Sequence, residues 1–448
     1  METRPMYRQS AIRVASVSAL LSLSWTTASR AQDLTLTLAQ ATELAVKNNL
    51  QTVLARERIA QARGEKGVGL SYLLPNLSAA AYQLNQTSNL AALGLSKEVF
   101  PGLPAFIGPY SVFDARLRLT QSIFNLAALR RYQAGKYGVA LAEEEQRFIT
   151  QKVITATALT YLAVAEGEEA VSSAKANVQL AQTLFDLATS QRNAGLATGL
   201  DVTRAETRLA NQQVQLAQAQ TSLDTARLEL LRVVGAPLAS RLILAQALRF
   251  NPEDPHDAAA AVHSAIAERS DLRAAELRQK IARTQYRAAT AGWAPSVNFA
   301  GDYGSSGIQP DETNLPTRSV AIGVDIPIFN GGRTRSEVQV AASLTRQAEA
   351  QTNDLKAAIE KDVRQALDNL VTRESQVKAA QKTLALAARE LELSQDRFRN
   401  GVADNIEVVT AQTALENARQ TLVMSLAQFN IARLNFASAM GRVQNFQL

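Results

Sequence analysis

Two acidic residues sit just past short turns in this chain, and their spacing suits two kinds of chemistry. Thr198-Gly199-Leu200-Asp201 and Asp404-Asn405-Ile406-Glu407 both place an acid three positions after a helix-capping residue. Such a carboxylate accepts backbone N–H groups at a helix start and favours the positive end of the helix dipole. By that reading Asp201 is a cap. Glu407 fits a cap by the same spacing, and several copies of it brought together would repel unless cations or protons screened them.

Motifs for catalysis are missing. Gly64-Glu65-Lys66-Gly67-Val68-Gly69 is glycine-rich but falls at a helix end, and Gly135-Lys136 is followed by Tyr137, so the phosphate-loop pattern fails. There is no cysteine, which removes thiolate metal sites, cysteine nucleophiles and a lipoprotein anchor. The two histidines, His256 and His263, show no metal-ligand spacing. Glu143-Glu144-Glu145 reads as a solvated helix face. We expect no enzyme, no cofactor and no resident metal.

The elements that position the two acids emerge from composition and repetition. The chain has 448 residues with only 5% aromatics, a mix suited to long helices with slim interfaces. Arg4, Arg8 and Arg13, the apolar stretch 14–23 and Ser29-Arg30-Ala31 form a secretory signal peptide over 1–31, too short to span a bilayer. That segment carries four of the 47 Lys+Arg and one of the 41 Asp+Glu, which leaves 43 against 40 and a net charge of +3. A mild positive balance without a basic cluster gives no case for nucleic acid. Past residue 31 no unbroken apolar run of 18 appears, so a bundle of transmembrane helices is not expected.

An internal repeat organises the rest. Ile123-Phe124-Asn125 recurs as Ile328-Phe329-Asn330, and Asn193-Ala194-Gly195-Leu196-Ala197-Thr198 recurs as Arg399-Asn400-Gly401-Val402-Ala403-Asp404. From Gly195 to Gly235 the offset to the second copy is 206 residues. The first repeat covers 32–235: a helix over 36–73, strands 76–86 and 110–121, a long helix 126–194 and a helix 199–234. An inter-repeat segment, 236–262, follows. The second repeat covers 263–441: a helix over 263–293, strands 296–303 and 318–327, a long helix 332–400 and a helix 405–440. A tail, 442–448, closes the chain. Each long helix would measure about 100 Å and fold back at its glycine tip as an antiparallel hairpin. Gly135, Gly138 and Gly167 should bend the first without breaking it.

Strict alternation marks the strands. Phe113, Ala115, Leu117 and Leu119 interleave with Asp114, Arg116, Arg118 and Thr120, and Val320, Ile322, Val324 and Ile326 interleave with Ala321, Gly323 and Asp325. Such strands suit a membrane barrel with lipid outside and water inside, or a soluble sheet with one buried face. Turn-rich loops over 90–109 and 304–316 join them in pairs. Four strands cannot close a barrel, so a membrane location would require several chains to share one.

This arrangement resembles the TolC-like outer-membrane efflux proteins, from about Leu36 to Gly441. The residues that carry the resemblance are the paired Ile-Phe-Asn stretches, clearest in Pro327-Ile328-Phe329-Asn330-Gly331-Gly332. The tips Gly195-Leu196-Ala197-Thr198 and Gly401-Val402-Ala403-Asp404 carry it too, with Leu200-Asp201-Val202 and Ile406-Glu407-Val408 beyond them. The resemblance implies a mainly α protein with a membrane β-barrel portion. Its homotrimer would set a twelve-stranded barrel in outer-membrane lipid on a twelve-helix periplasmic tube. It implies a passive exit duct for efflux or type I secretion, served by an inner-membrane transporter and a periplasmic adaptor. The adaptor would dock on the tips at Gly195, Leu196, Ala197 and Thr198 and at Gly401, Val402, Ala403 and Asp404. It also implies an acidic constriction past the second tip. Glu407 falls on that position, whereas Thr410 stands where a second acid is usual, and Asp201 is the equivalent acid after the first tip. Phe398 and Ala403 occupy the places of an aromatic and a basic gate residue, and Ala403 cannot form an ion pair. With four Met and two His, no metal-rich lining is evident, which favours small organic solutes as cargo.

Overall fold

The structure is a computed structural model describing residues 33–95, 99–195, 197–252, 257–400, 402 and 405–448. The expected signal peptide and the tip residues Leu196, Gly401, Ala403 and Asp404 lie outside the described residues, as does His256.

The described residues open with strand β1 (Asp33–Leu36), then helices α1 (Leu38–Asn48) and α2 (Leu50–Ser71). The single helix expected over 36–73 is therefore corrected. Thr37 starts α1 in a reciprocal capping box with Gln40. Asn49 then takes an extended backbone, and its side chain accepts the Gln51 N–H at 2.9 Å to cap α2. Asparagine competes with the helix through its own side chain, which makes it a boundary residue.

Strands β2 (Asn76–Asn89) and β3 (Phe106–Phe124) follow, then helix α3 (Leu126–Asn193) and helix α4 (Gly199–Val234). Both strands run longer than 76–86 and 110–121, which shortens the loop between them. The Asn125 side chain accepts the Ala128 N–H at 2.9 Å, so the last residue of the first Ile-Phe-Asn stretch is the cap of α3. α3 is continuous for 68 residues, about 100 Å at 1.5 Å per residue.

The inter-repeat segment holds strand β4 (Arg241–Leu244), which pairs in parallel with β1. The second repeat begins with α5 (Ala258–Glu268) and α6 (Ser270–Thr290). The one helix expected over 263–293 starts earlier and breaks at Arg269, whose backbone is extended. Arg269 is held there by Asp271, through Nε to Oδ1 at 3.0 Å, and by the Gly441 turn packed against its stem. Strands β5 (Ser296–Gly307) and β6 (Leu315–Asp325), helix α7 (Arg333–Arg399) and helix α8 (Asn405–Ala439) complete the order. The tail is not plain coil: Val443–Asn445 forms a 3-10 turn with Val443 buried.

α3 and α7 run the length of the helical body. On the side of the strands they are joined by α2 and α6, and on the side of the tips by α4 and α8. Midway, a core cluster gathers α1, β1, β4 and the centre of α3, with the Tyr161 hydroxyl donating to the Leu36 carbonyl at 3.1 Å. A second cluster joins α5, α7 and α8 through Ile359, Val363, Leu370 and Phe429. A third lies near the second tip, with Leu391, Val408 and Leu415 at its centre. α3 also holds an 18-residue stretch apolar enough, by mean hydropathy, to cross a bilayer. Val153, Ala158, Tyr161, Leu162, Val164 and Ala165 of α3 are buried in the first cluster, so its apolar character serves helix packing.

The four long strands form one antiparallel sheet in the order β2-β3-β5-β6. The register places Leu77 beside Leu119, Leu117 beside Tyr303, Phe299 beside Ile322 and Val297 beside Val324.

Candidate functional site

The two helical tips hold most of the candidate residues. At the first, α3 ends at Asn193 and Gly195 turns the chain with φ of +75°, a conformation that costs an L side chain about 1–2 kcal/mol. A Cβ there would meet nothing within 4 Å, so the glycine serves the turn and not a close contact within the chain. Ala197 is half-buried and Thr198 is exposed. Thr198 caps α4: its hydroxyl accepts the Asp201 N–H at 3.4 Å, and Asp201 Oδ2 accepts the Thr198 N–H at 2.9 Å and its hydroxyl at 2.6 Å. Asp201 is thus engaged in a reciprocal capping box, which satisfies N–H groups that the helix itself leaves open.

At the second tip the acid has a different fate. Glu407 Oε1 lies 3.1 Å from Arg397 Nε, across the hairpin from α8 to α7. Phe398 is half-buried in the cluster around Leu391 and Leu415, while Thr410 is exposed and donates to the Ile406 carbonyl at 2.8 Å. Val402 is exposed at the turn, and its N–H reaches the Arg397 carbonyl at 2.9 Å. Leu200 and Ile406 are also exposed, so both tips carry apolar side chains without cover in the single chain. Sequence reasoning missed Arg397. It stands ten positions before Glu407 across a short turn, and counting the hairpin register from the tip would have paired them.

Above the tips lies a buried acid that the sequence did not single out. Glu416 of α8 meets Arg208 of α4, and its oxygens accept Gln212 Nε2 at 3.1 Å and Gln412 Nε2 at 3.0 Å. The carboxylate ties the two hairpins together across α3. Burial pulls the Arg208 guanidinium below its ordinary pKa. Arg419 of α8 adds a bond to Asn177 of α3 at 2.7 Å. Arg208, Gln212, Glu416 and Asn177 border a cleft of about 440 Å³ that Ala170, Ser173 and Ala174 of α3 also line. Glu166, at its edge, has its carboxyl pushed up by burial.

The third group is the sheet. Arg116 bonds Asp114 through Nε at 2.6 Å and Asp302 through Nη1 at 3.0 Å, and the Ser319 hydroxyl donates to Asp302. The alternation places these polar residues on one face and Leu77, Leu117, Tyr303, Val320, Ile322 and Val324 on the other. Every one of those six apolar residues is exposed. Among the described residues β2 and β6 each pair on one side only. The apolar face of the sheet is thus uncovered within the single chain. Ile328 and Phe329, at the strand-to-helix junction, are 88% and 83% exposed.

The Glu143–Glu145 run is tied down and not simply solvated. Glu143 pairs with Arg63 of α2 at 3.7 Å, Glu144 with Arg147 at 2.8 Å and Glu145 with Arg278 of α6 at 2.5 Å. Among the described residues no cluster of three or more His, Cys, Asp or Glu is arranged to hold a metal.

Comparison with known proteins agrees with this architecture. The family model described as "Outer membrane efflux protein" matches residues 28–236 and 261–442. Outer membrane protein TolC of Escherichia coli strain K12 is 25% identical over 348 residues, which cover 75% of this chain and 70% of that protein. Alkaline protease secretion protein AprF of Pseudomonas aeruginosa is 24% identical over 402 residues, 88% of this chain and 82% of its own. Among solved structures, the Campylobacter jejuni CmeC outer membrane channel superposes with a TM-score of 0.79 at 18% identity, covering 98% of this chain and 95% of that one. The outer membrane protein VceC of Vibrio cholerae gives 0.78 at 19% identity, covering 90% and 96%.

Proposed function

The chain belongs to the outer membrane efflux protein family, and from that premise we propose how its parts make an exit duct. The protein is an outer-membrane conduit that passively passes solutes delivered from the cell interior. Three chains share the work. Each contributes the four strands of its sheet to a twelve-stranded barrel, and each contributes α3, α4, α7 and α8 to a periplasmic tube.

The observation that carries this reading is a sheet with an exposed apolar face and two open edges. In water such edges invite aggregation, and in lipid every unpaired backbone group costs several kcal/mol. Joining β6 of one chain to β2 of the next removes both penalties. The Asp114–Arg116–Asp302 network then faces a water-filled lumen, and Val320, Ile322 and Val324 face lipid.

At the other end the tips meet the partners. An adaptor docks on Gly195, Leu196, Ala197 and Thr198 and on Gly401, Val402, Ala403 and Asp404. The exposed Leu200 and Ile406 support that role, since small and apolar groups let another helical tip approach closely. An inner-membrane transporter supplies the energy. Glu407 rims the constriction, with Phe398 and Thr410 beside it, and Asp201 acts at the mouth as the cap that shapes the outer tip.

Fractionation tests the location. The mature protein is expected to sediment with outer membranes and to resist high-salt extraction. Recovery in the soluble periplasmic fraction contradicts the duct.

A further inference from the structure

We infer that Arg397 sets the charge selectivity of the duct's inner mouth by neutralising Glu407 within the same chain. The inference rests on the reading that the second tip rims the constriction.

The ion pair spans the hairpin at 3.1 Å, from Arg397 Nε near the end of α7 to Glu407 Oε1 near the start of α8. Each partner is anchored by its neighbour in sequence. Phe398 packs into the cluster at the tip, and Val408 is buried at its centre with 1% exposure. The backbone that carries both charges is thus held while the charges themselves stay in water. Asp396 and Arg399 form a second pair one step away, at 3.5 Å. The described residues of this rim therefore carry two acids and two bases in matched pairs.

Distance decides what a passing ion feels. A pair separated by 3.1 Å lies well inside the Debye length of about 8–10 Å at physiological salt. Beyond a few ångströms the pair acts as a small dipole and not as a net charge. Without Arg397, three copies of Glu407 would form a bare acidic ring that concentrates cations. Both side chains are well exposed, 55% for Arg397 and 40% for Glu407, so the pair adds little to folding. Its use at this position is electrostatic, and its removal leaves a folded protein to measure.

The test is the reversal potential of the purified protein in planar bilayers under a potassium chloride gradient. The unaltered protein reverses close to zero. Arg397→Ala raises the cation-to-anion permeability ratio by about threefold or more, as an uncompensated acidic ring enriches cations. Arg397→Lys stays near the unaltered value, and Arg397→Ala combined with Glu407→Ala returns to it. An Arg397→Ala protein with an unchanged reversal potential overturns the inference, as does a shift that persists in the double variant. An unaltered protein that inserts as an oligomer yet passes no ions overturns the duct reading itself, and the inference with it.

Discussion

The two hairpin tips share a sequence plan and differ in how they use their acid. In the first, Asp201 turns back on Thr198 and serves the start of its own helix. In the second, Glu407 reaches across to Arg397 on the opposite helix. The same spacing of a capping residue and an acid thus comes with a local capping box in the first copy, while in the second, whose capping position lies outside the described residues, the acid has a base across the hairpin. The difference lies in the partner helix: the second copy offers a base opposite the acid, Arg397 on α7, with a core cluster beneath to hold the register. The first tip is built to keep its shape, and the second carries charge on a firm base.

The largest effect should come from cutting the tie between the hairpins. Arg208→Ala leaves Glu416 buried with Gln212 and Gln412, and should cost about 3 kcal/mol, the low end for a broken buried pair. Thermal unfolding followed by circular dichroism would check it. A melting curve unchanged by this substitution would mean that the hairpins stand independently.

The turns that close the two repeats sharpen the contrast. Gly235 has φ of +70°, and a Cβ there would come within 2.8 Å of Asn48 Cβ, whereas one at Gly441 would meet Arg269 at 3.2 Å. Gly235→Ala should cost about 2 kcal/mol or more and Gly441→Ala about 1 kcal/mol, since both force a left-handed residue but the approach to Asn48 Cβ is closer than any approach to Arg269, whose backbone Cα lies at 3.3 Å. Denaturant midpoints of the two variants give the order.

Smaller still is the difference between the tip acids. Thr198→Ala should cost about 1 kcal/mol through the lost cap. Glu407→Ala should cost only a few tenths, as expected for an exposed ion pair. Amide exchange in the first turn of α4 and of α8 would separate them. Equal protection losses at both tips would erase the distinction.

Much of this plan was legible in the sequence, for physical reasons. The mainly helical class followed from long stretches of small apolar residues at helical spacing, and the strands from alternation at Phe113–Thr120 and Val320–Ile326. The breaks at Asn49 and Arg269 were not legible. Apolar periodicity runs through both positions, and only the side-chain cap at Asn49 and the packing of Gly441 on Arg269 reveal them. β1 and β4 escaped notice because four-residue strands are too short to show alternation. At the site, the reciprocal spacing of Thr198 and Asp201 was readable because it is local. Arg397 becomes readable only once the hairpin register is counted across the tip, and Arg208 was not readable, since its partner lies on the other hairpin.

The shared barrel is tested most directly by the mass of the mature protein purified in mild detergent, measured intact with the detergent removed in the gas phase. A single species of three chains is the predicted result, with β6 of each chain joined to β2 of the next so that no edge stays open. A stable, folded single chain under the same conditions would contradict it.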